Sequence, residues 1–310
     1  MLLTVVRHWN IVGGGDSAQG ELNLPNLTGT LGNNAFKGCV KLTSVASLGS
    51  ITSIGSSAFE NCTQLANINF PSTVTSVGTS AFNNTAWYNS QPDGPVIING
   101  CVLYAYKGDI IGSYVVQNSI LYITDWALVS KSSLTSITLG SGVNYVMNGA
   151  FRYDNNLSTI VVDSNNVKYD SRDNCNAVIE TASNTLIAGC KNTIIPNTIT
   201  RINNNACAYL SNLTSIVVPD SVTRIGENAF GRGGMINAVI GTGITSLGRQ
   251  VFYADPLQTL TIKAITPPHC DHADTLPNNC IIYVPSESVD AYKTANIWKD
   301  HASQIQAIPT

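Results

Sequence analysis

The side chains of this 310-residue chain that most invite chemistry lie near its C-terminal end, in PPHCDHADTLPNNC, where His269, Cys270, Asp271, His272, Asp274 and Cys280 offer the donors that a zinc site uses. Tetrahedral zinc sites usually show C-x2-4-C or H-x3-5-H spacing. Here the cysteines are ten residues apart, and adjacent Asp271 and His272 are hard to aim at one ion. The segment reads as a surface loop, and neither a metal nor a cofactor is expected. A nucleophilic triad needs a base and an orienting acid beside the nucleophile. His8 and His301 stand near opposite ends of the chain and the other two histidines share that one loop, so no His is available to the middle. Asp154, Asp163, Asp170 and Asp173 cluster in sequence, but they fit no EF-hand or nonapeptide calcium pattern and read as a solvated insertion. Neither Gly-rich phosphate-loop pattern occurs. No catalytic residue is assigned.

The elements that hold these residues are set by a repeat. SIGSSAF within Ile51–Phe59 returns 23 residues later as SVGTSAF. An aliphatic residue followed four positions on by Ala or Val, then a bulky or apolar residue, recurs in eight copies: Leu31 with Ala35-Phe36, Ile54 with Ala58-Phe59, Val77 with Ala81-Phe82, Ile123 with Ala127-Leu128, Val146 with Ala150-Phe151, Ile202 with Ala206-Cys207, Ile225 with Ala229-Phe230, and Leu247 with Val251-Phe252. Farther on, an L-x-x-h-x-h run alternates with period two, the mark of a half-buried strand. Pro25, Pro71, Pro196 and Pro219 close such strands, since Pro lacks the N–H a ladder needs. One coil cannot cover its own apolar face, so coils must stack. The spacing predicts a β-rich repeat solenoid, a right-handed superhelix of about ten coils with short helical turns at Ala-Phe. Hairpin-bearing coils are expected near 87–120 and 161–195, with turn residues at Lys107-Gly108-Asp109 and Cys190-Lys191-Asn192. The solenoid spans 22–285 in this reading. Residues 1–21 form a cap or remnant, and 286–310, with Val289, Tyr292 and Trp298 on one face, form a C-terminal capping helix.

Composition narrows the partners. Charged residues make up only 11%, against roughly 25% in average globular chains, and Ser, Thr and Asn supply the polar surface, a mixture that favours strands and turns over helix. A formal net charge of -3 leaves no basic stripe for nucleic acid. No apolar run reaches the roughly 20 residues of a membrane span. The start, MLLTVVRHWN, has an apolar run too short for a secretory signal, and the expectation is either a signal already removed or a fragment. Of eight cysteines, Cys39 and Cys62 share one repeat position; parallel Cβ vectors there favour a buried, reduced column over a bridge. A Cys270–Cys280 bridge is left open.

The register h-x-x-h-x-h-P-x-x-V-T-x-I-G-x-x-A-F-x-x-C, carried by LTSI at Leu134–Ile137 and Leu213–Ile216, PDSVTRIGENAF at Pro219–Phe230 and ITSIGSSAFENC at Ile51–Cys62, resembles the BspA-like leucine-rich repeats. The segment ITPPHC…CIIYVPSESVDAYK is similar to the closing segment of such proteins. The resemblance implies a surface or secreted interaction module with an extracellular protein or glycan as partner.

Two surfaces could serve it. The outward positions of the strands form a neutral, hydroxyl-rich row: Asn67 and Asn69, Ser136 and Thr138, Thr159 and Val161, Ser215 and Val217, Thr259 and Thr261. The irregular segment instead concentrates aromatics, Trp87, Tyr88, Tyr104, Tyr106 and Tyr114, some needed as core filler. The leading expectation is a non-catalytic recognition or adhesion module. A structural spacer that presents another domain is the alternative, and an enzyme with a site at 154–175 or in the His269 loop comes third.

Overall fold

A computed structural model of the chain describes residues 18–309. The expected N-terminal cap or remnant therefore lies, for residues 1–17, outside the described residues. Over the described residues the chain is a β-solenoid of about 13 turns with few helices. It divides into two compact units: residues up to Gly108 together with Ser119–Ala127, and Asp109–Asn118 together with Leu128 onward.

In the first unit the 23-residue period becomes strand register. Gln19–Asn23, Lys41–Ser47 and Asn67–Ile68 form one parallel sheet, and Thr28–Leu31, Ser50–Ile54 and Ser76–Val77 another. Ser44 pairs with Asn67 and Ser53 with Ser76, each one period apart. Between the sheets the Phe positions stack, Phe36 on Phe59 at 5.4 Å and Phe59 on Phe82 at 5.7 Å, with rings within 13° of parallel. The stack is slightly wider than the 4.7–4.9 Å strand spacing, as offset rings require.

The Ala-Phe turn is not helical, contrary to expectation. Asn34, Ser57, Ser80, Asn205 and Asn228, each just before the Ala, have φ between 51° and 58°, and Gly38, Asn61 and Asn84, three after it, have φ between 58° and 76°. Left-handed residues on either side of Ala-Phe turn alternate N–H groups toward the next coil: Asn34 N donates to Ser56 O at 2.9 Å, Phe36 N to Ala58 O at 2.7 Å and Gly38 N to Glu60 O at 2.8 Å. A helix would have spent those donors within its own coil. Asn tolerates the left-handed region better than most residues, which suits Asn34, Asn61, Asn84, Asn205 and Asn228 to these positions.

Both hairpins form, but their tips lie elsewhere than expected. Gly94–Ile98 pairs antiparallel with Val102–Lys107 around Asn99-Gly100, and Ala177–Glu180 pairs with Thr185–Gly189 around Thr181–Asn184. Asn99 and Gly100 have φ of 51° and 68°, the two positive values of a type I′ turn. Lys107 instead ends the first return strand, with Gly108 and Asp109 after it, and Cys190–Asn192 follow the second.

The second unit holds three sheets. Gly112–Val115, Leu134–Leu139 and Thr159–Val162 form one, and Tyr169–Asp170, Ala177–Glu180, Thr185–Gly189, Arg201–Ile202, Arg224–Ile225, Ser246–Leu247 and His269–Cys270 a seven-stranded second. The third runs Ser215–Val218, Asn237–Ile240, Thr259–Ile262, Ile281–Val284 and Ile305–Ala307. The C-terminal segment is more than a capping helix. Val289–Thr294 is α-helical and Trp298–Gln304 is 3-10, but Ile305–Ala307 is a further strand on Ile281–Val284. Turns such as this carry no Ala-Phe signature, so a count made from that signature falls short. Tyr292 and Trp298 are fully buried; the Tyr292 hydroxyl donates to Ala264 O at 2.8 Å and the Trp298 indole N–H to Pro268 O at 2.9 Å.

Candidate functional site

The His-Cys loop distributes its donors among separate partners. His269 Nδ1 lies 3.3 Å from an Asp271 carboxylate oxygen, His272 pairs with Asp274, and Arg224 and Arg249 reach Asp271 and Asp274 at 3.1 and 3.2 Å. Cys270 and Cys280 are free thiols, as are the other six cysteines. Burial pushes Cys62, Cys270 and Cys280 up to about 12 each, so at neutral pH they are protonated and poor nucleophiles. Cys39 and Cys62 are both buried, and the Cys62 thiol donates to Phe36 O at 2.9 Å. Among the described residues no three His, Cys, Asp or Glu side chains converge as metal ligands would.

The acids of the 154–175 segment do not converge either. Asp154 is fully buried and its Oδ1 accepts from Lys131 N at 2.6 Å. Asp163 caps Asn165 N at 2.8 Å, and Asp170 takes Arg172 Nη2 at 2.6 Å. Burial works against ionisation of Asp170, yet hydrogen bonds from Arg172 and Thr181 hold its carboxyl below the ordinary range. His301 is buried, with Nδ1 2.8 Å from Gln304 Oε1. His8 lies outside the described residues.

The aromatic segment is largely packing. Tyr104 is 4% exposed; its hydroxyl accepts from Phe82 N at 2.9 Å and sits 3.2 Å from Asn83 Oδ1. This corrects its place among ligand-binding residues. The Phe stack ends at Phe82, because the next coil is a hairpin without Phe, and Trp87, Phe70 and Tyr104 close that end edge-on at 5.1, 5.3 and 5.5 Å. Tyr88 is half-buried against Tyr104 at 5.8 Å, with Lys107 Nζ 5.6 Å from its ring. Tyr106 and Tyr114 are also half-buried, and Tyr114 takes the place beside Ile137 in its ladder.

The outward strand positions do form rows. Asn67, Asn69 and Ser215 are exposed, and Ser136, Thr138, Thr159, Thr259 and Thr261 are half-buried. Ser136 stands beside Thr159 and Thr138 beside Val161. In the five-stranded sheet Val217, Val239, Thr261, Tyr283 and Gln306 occupy one continuous row, and Ser215, Asn237, Thr259 and Ile281 the row two residues away. Thr259 Oγ1 donates to Asn237 Oδ1 at 2.7 Å along that second row. Asn237, Val239, Ile281, Tyr283 and Gln306 went unrecognised in the sequence. The alternation in NAVI at Asn237–Ile240 and IIYV at Ile281–Val284 is the signal that could have found them.

Short parallel strands repeating every 22 or 23 residues, with an inward aliphatic ladder and an Ala-Phe turn, define a leucine-rich-repeat solenoid. The model of the BspA type leucine rich repeat region matches in six copies, over residues 17–91, 99–178 and 183–269, and the chain belongs to that family. Among solved structures, a leucine rich cell surface protein from Faecalibacterium prausnitzii A2-165 is similar at 21% identity with a TM-score of 0.55, covering 94% of this chain and 79% of that one. A leucine-rich repeat protein from Eubacterium ventriosum is similar at 22% identity with a TM-score of 0.47, covering 86% of this chain and 67% of that one. No curated protein matches significantly. No helix among the described residues is long and apolar enough to cross a membrane.

Proposed function

We infer that the chain is a non-catalytic recognition module of a secreted or cell-surface protein, binding an extracellular protein or glycan through the outward face of its sheets. The observation that carries this reading is the in-register row of the five-stranded sheet. Val217 is 65% and Ile281 37% exposed, and Tyr283 and Thr261 lie between or beside them in the ladder. The three inner strands are laddered on both sides, so over them a partner would meet side chains only, whereas Ser215–Val218 and Ile305–Ala307 are laddered on one side. An apolar centre set among hydroxyls and amides is the composition of a protein-binding patch. The F. prausnitzii protein of similar fold is described as a cell surface protein, the setting proposed here.

The test is an array of extracellular proteins and glycans probed with the wild-type chain and with a Val217→Asp, Tyr283→Ala variant of matching circular dichroism. A hit that the variant loses is the expected result. A wild-type chain that binds nothing would leave the spacer role in its place, and a hit that the variant keeps would move the site off this face.

A further inference from the structure

The second hairpin interrupts the regular column of two-residue bridges, and a groove opens beside it. Tyr169–Asp170 and Ala177–Glu180 join the seven-stranded sheet antiparallel, whereas the strands after Thr185–Gly189 are parallel. Tyr145–Val146 is not a strand of that sheet. It approaches through point contacts: Val146 N lies 3.4 Å from the Tyr169 hydroxyl, and nearby Asn203 Nδ2 donates to Asn148 Oδ1 at 2.8 Å. The intervening space is about 420 Å³, within the range of small-ligand sites.

Its charges are unevenly satisfied. Arg201 and Arg224 line the groove and are direct neighbours in the ladder, where like charges repel. Arg224 is engaged, Nη1 with Ser246 Oγ at 3.0 Å and Nη2 with Asp271 at 3.1 Å. The Arg201 guanidinium has neither a hydrogen bond nor an ion pair with any described residue. Glu180, the one carboxylate in the lining, is already held by Lys168 Nζ at 3.7 Å and by the Ser183 hydroxyl at 2.6 Å. Lys168 in turn sits 5.8 and 5.6 Å from the rings of Tyr145 and Tyr169. The cation left without a counter-charge is Arg201.

We propose that this groove binds an anionic oligosaccharide, with its acid group on Arg201 beside Arg224 and its hydroxyls on the neighbouring amides. Asn203 spends its Nδ2 on Asn148, and Asn204 spends its Oδ1 on Glu227 N at 2.8 Å, which leaves one acceptor and one donor for a sugar. An acidic peptide fits less well. The strands carrying Thr185, Arg201 and Arg224 are laddered on both sides, so no strand can be added there. The lining is amide, hydroxyl and charge rather than a set of apolar side-chain pockets. The proposal rests on the recognition-module reading and names a ligand class and a second site for it.

The test is calorimetric titration of the full chain with a galacturonate tetramer, its fully methyl-esterified form, a sulfated heparin-derived tetrasaccharide and neutral maltotetraose. Binding of the carboxylated or the sulfated probe, whichever identifies the acid group, is expected to weaken with added salt, and the esterified and neutral sugars are expected not to bind. Arg201→Gln should lower that affinity by about tenfold or more, the loss of one charge-assisted contact, with an unchanged melting temperature. Arg232→Gln, outside the groove, should bind as wild type. Failure of both anionic probes, equal binding of the esterified tetramer, or unchanged affinity in Arg201→Gln overturns the proposal. If the extracellular array still gives a hit, the recognition reading survives that failure; if the array is also blank, both fall.

Discussion

Burial of Asp154 makes its ionisation work against the fold. Its carboxyl is pushed up to about 8 by burial, against the opposing pull of the Lys131 backbone N–H and the Lys131 charge, whereas an unfolded Asp titrates near 3.9. Between those values the folded chain holds a proton that the unfolded chain has released, so this group's contribution to stability is lost as pH rises from about 4 to about 8. Asp154→Asn keeps an acceptor for Lys131 N. Urea unfolding at intervals from pH 5 to pH 7 should show the decline with pH reduced by about 1.4 kcal/mol per pH unit in the variant; equal slopes would mean that Asp154 is already ionised in the folded chain. Asp255, pushed up to about 7 chiefly by burial, acts in the same direction. Glycine supplies a second test. A Cβ on Gly78 would lie 2.4 Å from Ser56 N in the preceding coil, whereas one on Gly38 meets nothing within 4 Å. Gly78→Ala should cost about 3 kcal/mol through forced overpacking, and Gly38→Ala about 1 kcal/mol through its left-handed backbone, both read by chemical denaturation.

The Phe stack is where element and energy coincide. Phe59 is fully buried between Phe36 and Phe82, so Phe59→Ala should destabilise by about 3–5 kcal/mol. Trp87→Ala, at the half-buried end of the stack, should cost less by the same denaturation measurement. The stack was legible in the sequence because Phe36, Phe59 and Phe82 recur at one spacing. The outward rows were legible only in part. Asn67, Ser136, Thr159, Ser215 and Thr259 follow the Leu signature, but Asn237 follows Ile236 and Ile281 follows Cys280, where that signature is weak. The hairpin tip was also legible, since Asn99-Gly100 is a strong type I′ signal, although Lys107-Gly108-Asp109 carries turn-type residues as well. The groove was not legible. It forms where Asn148 meets Asn203, 55 residues on, and that approach depends on how the intervening hairpin folds rather than on any repeated spacing.

At the scale of the molecule, the C-terminal segment protects a sheet edge. Ile305–Ala307 pairs with Ile281–Val284, while Tyr292 and Trp298 pack edge-to-face at 4.8 Å within the second unit's core. Removing residues 286–310 would leave the N–H and C=O groups of Ile281–Val284 unpaired on one side and uncover apolar surface. Unpaired strand edges recruit other chains. The edge that the whole chain presents instead, Ile305–Ala307, is only three residues long, and very short edges recruit poorly, so the truncated chain is expected to gain mass with concentration in light scattering more steeply than the whole chain. Unchanged behaviour on truncation would show that the terminal strand contributes little to edge protection.

The ladder register also fixes the unit in which this chain can change length. Val45 stands beside Ile68 and Ile54 beside Val77, so excising residues 46–68 joins Val45 to Asn69 at an equivalent point of the next turn. The inward ladder, the Phe stack and the left-handed positions all resume in phase. A cut of eleven residues at the same place would put inward side chains opposite outward ones and abolish every coil-to-coil hydrogen bond at the junction. The period thus acts as a reading frame for the folded chain: length is gained or lost by whole turns of 22 or 23 residues, and a larger departure is accommodated where, as at the two hairpins, the extra residues pair with one another.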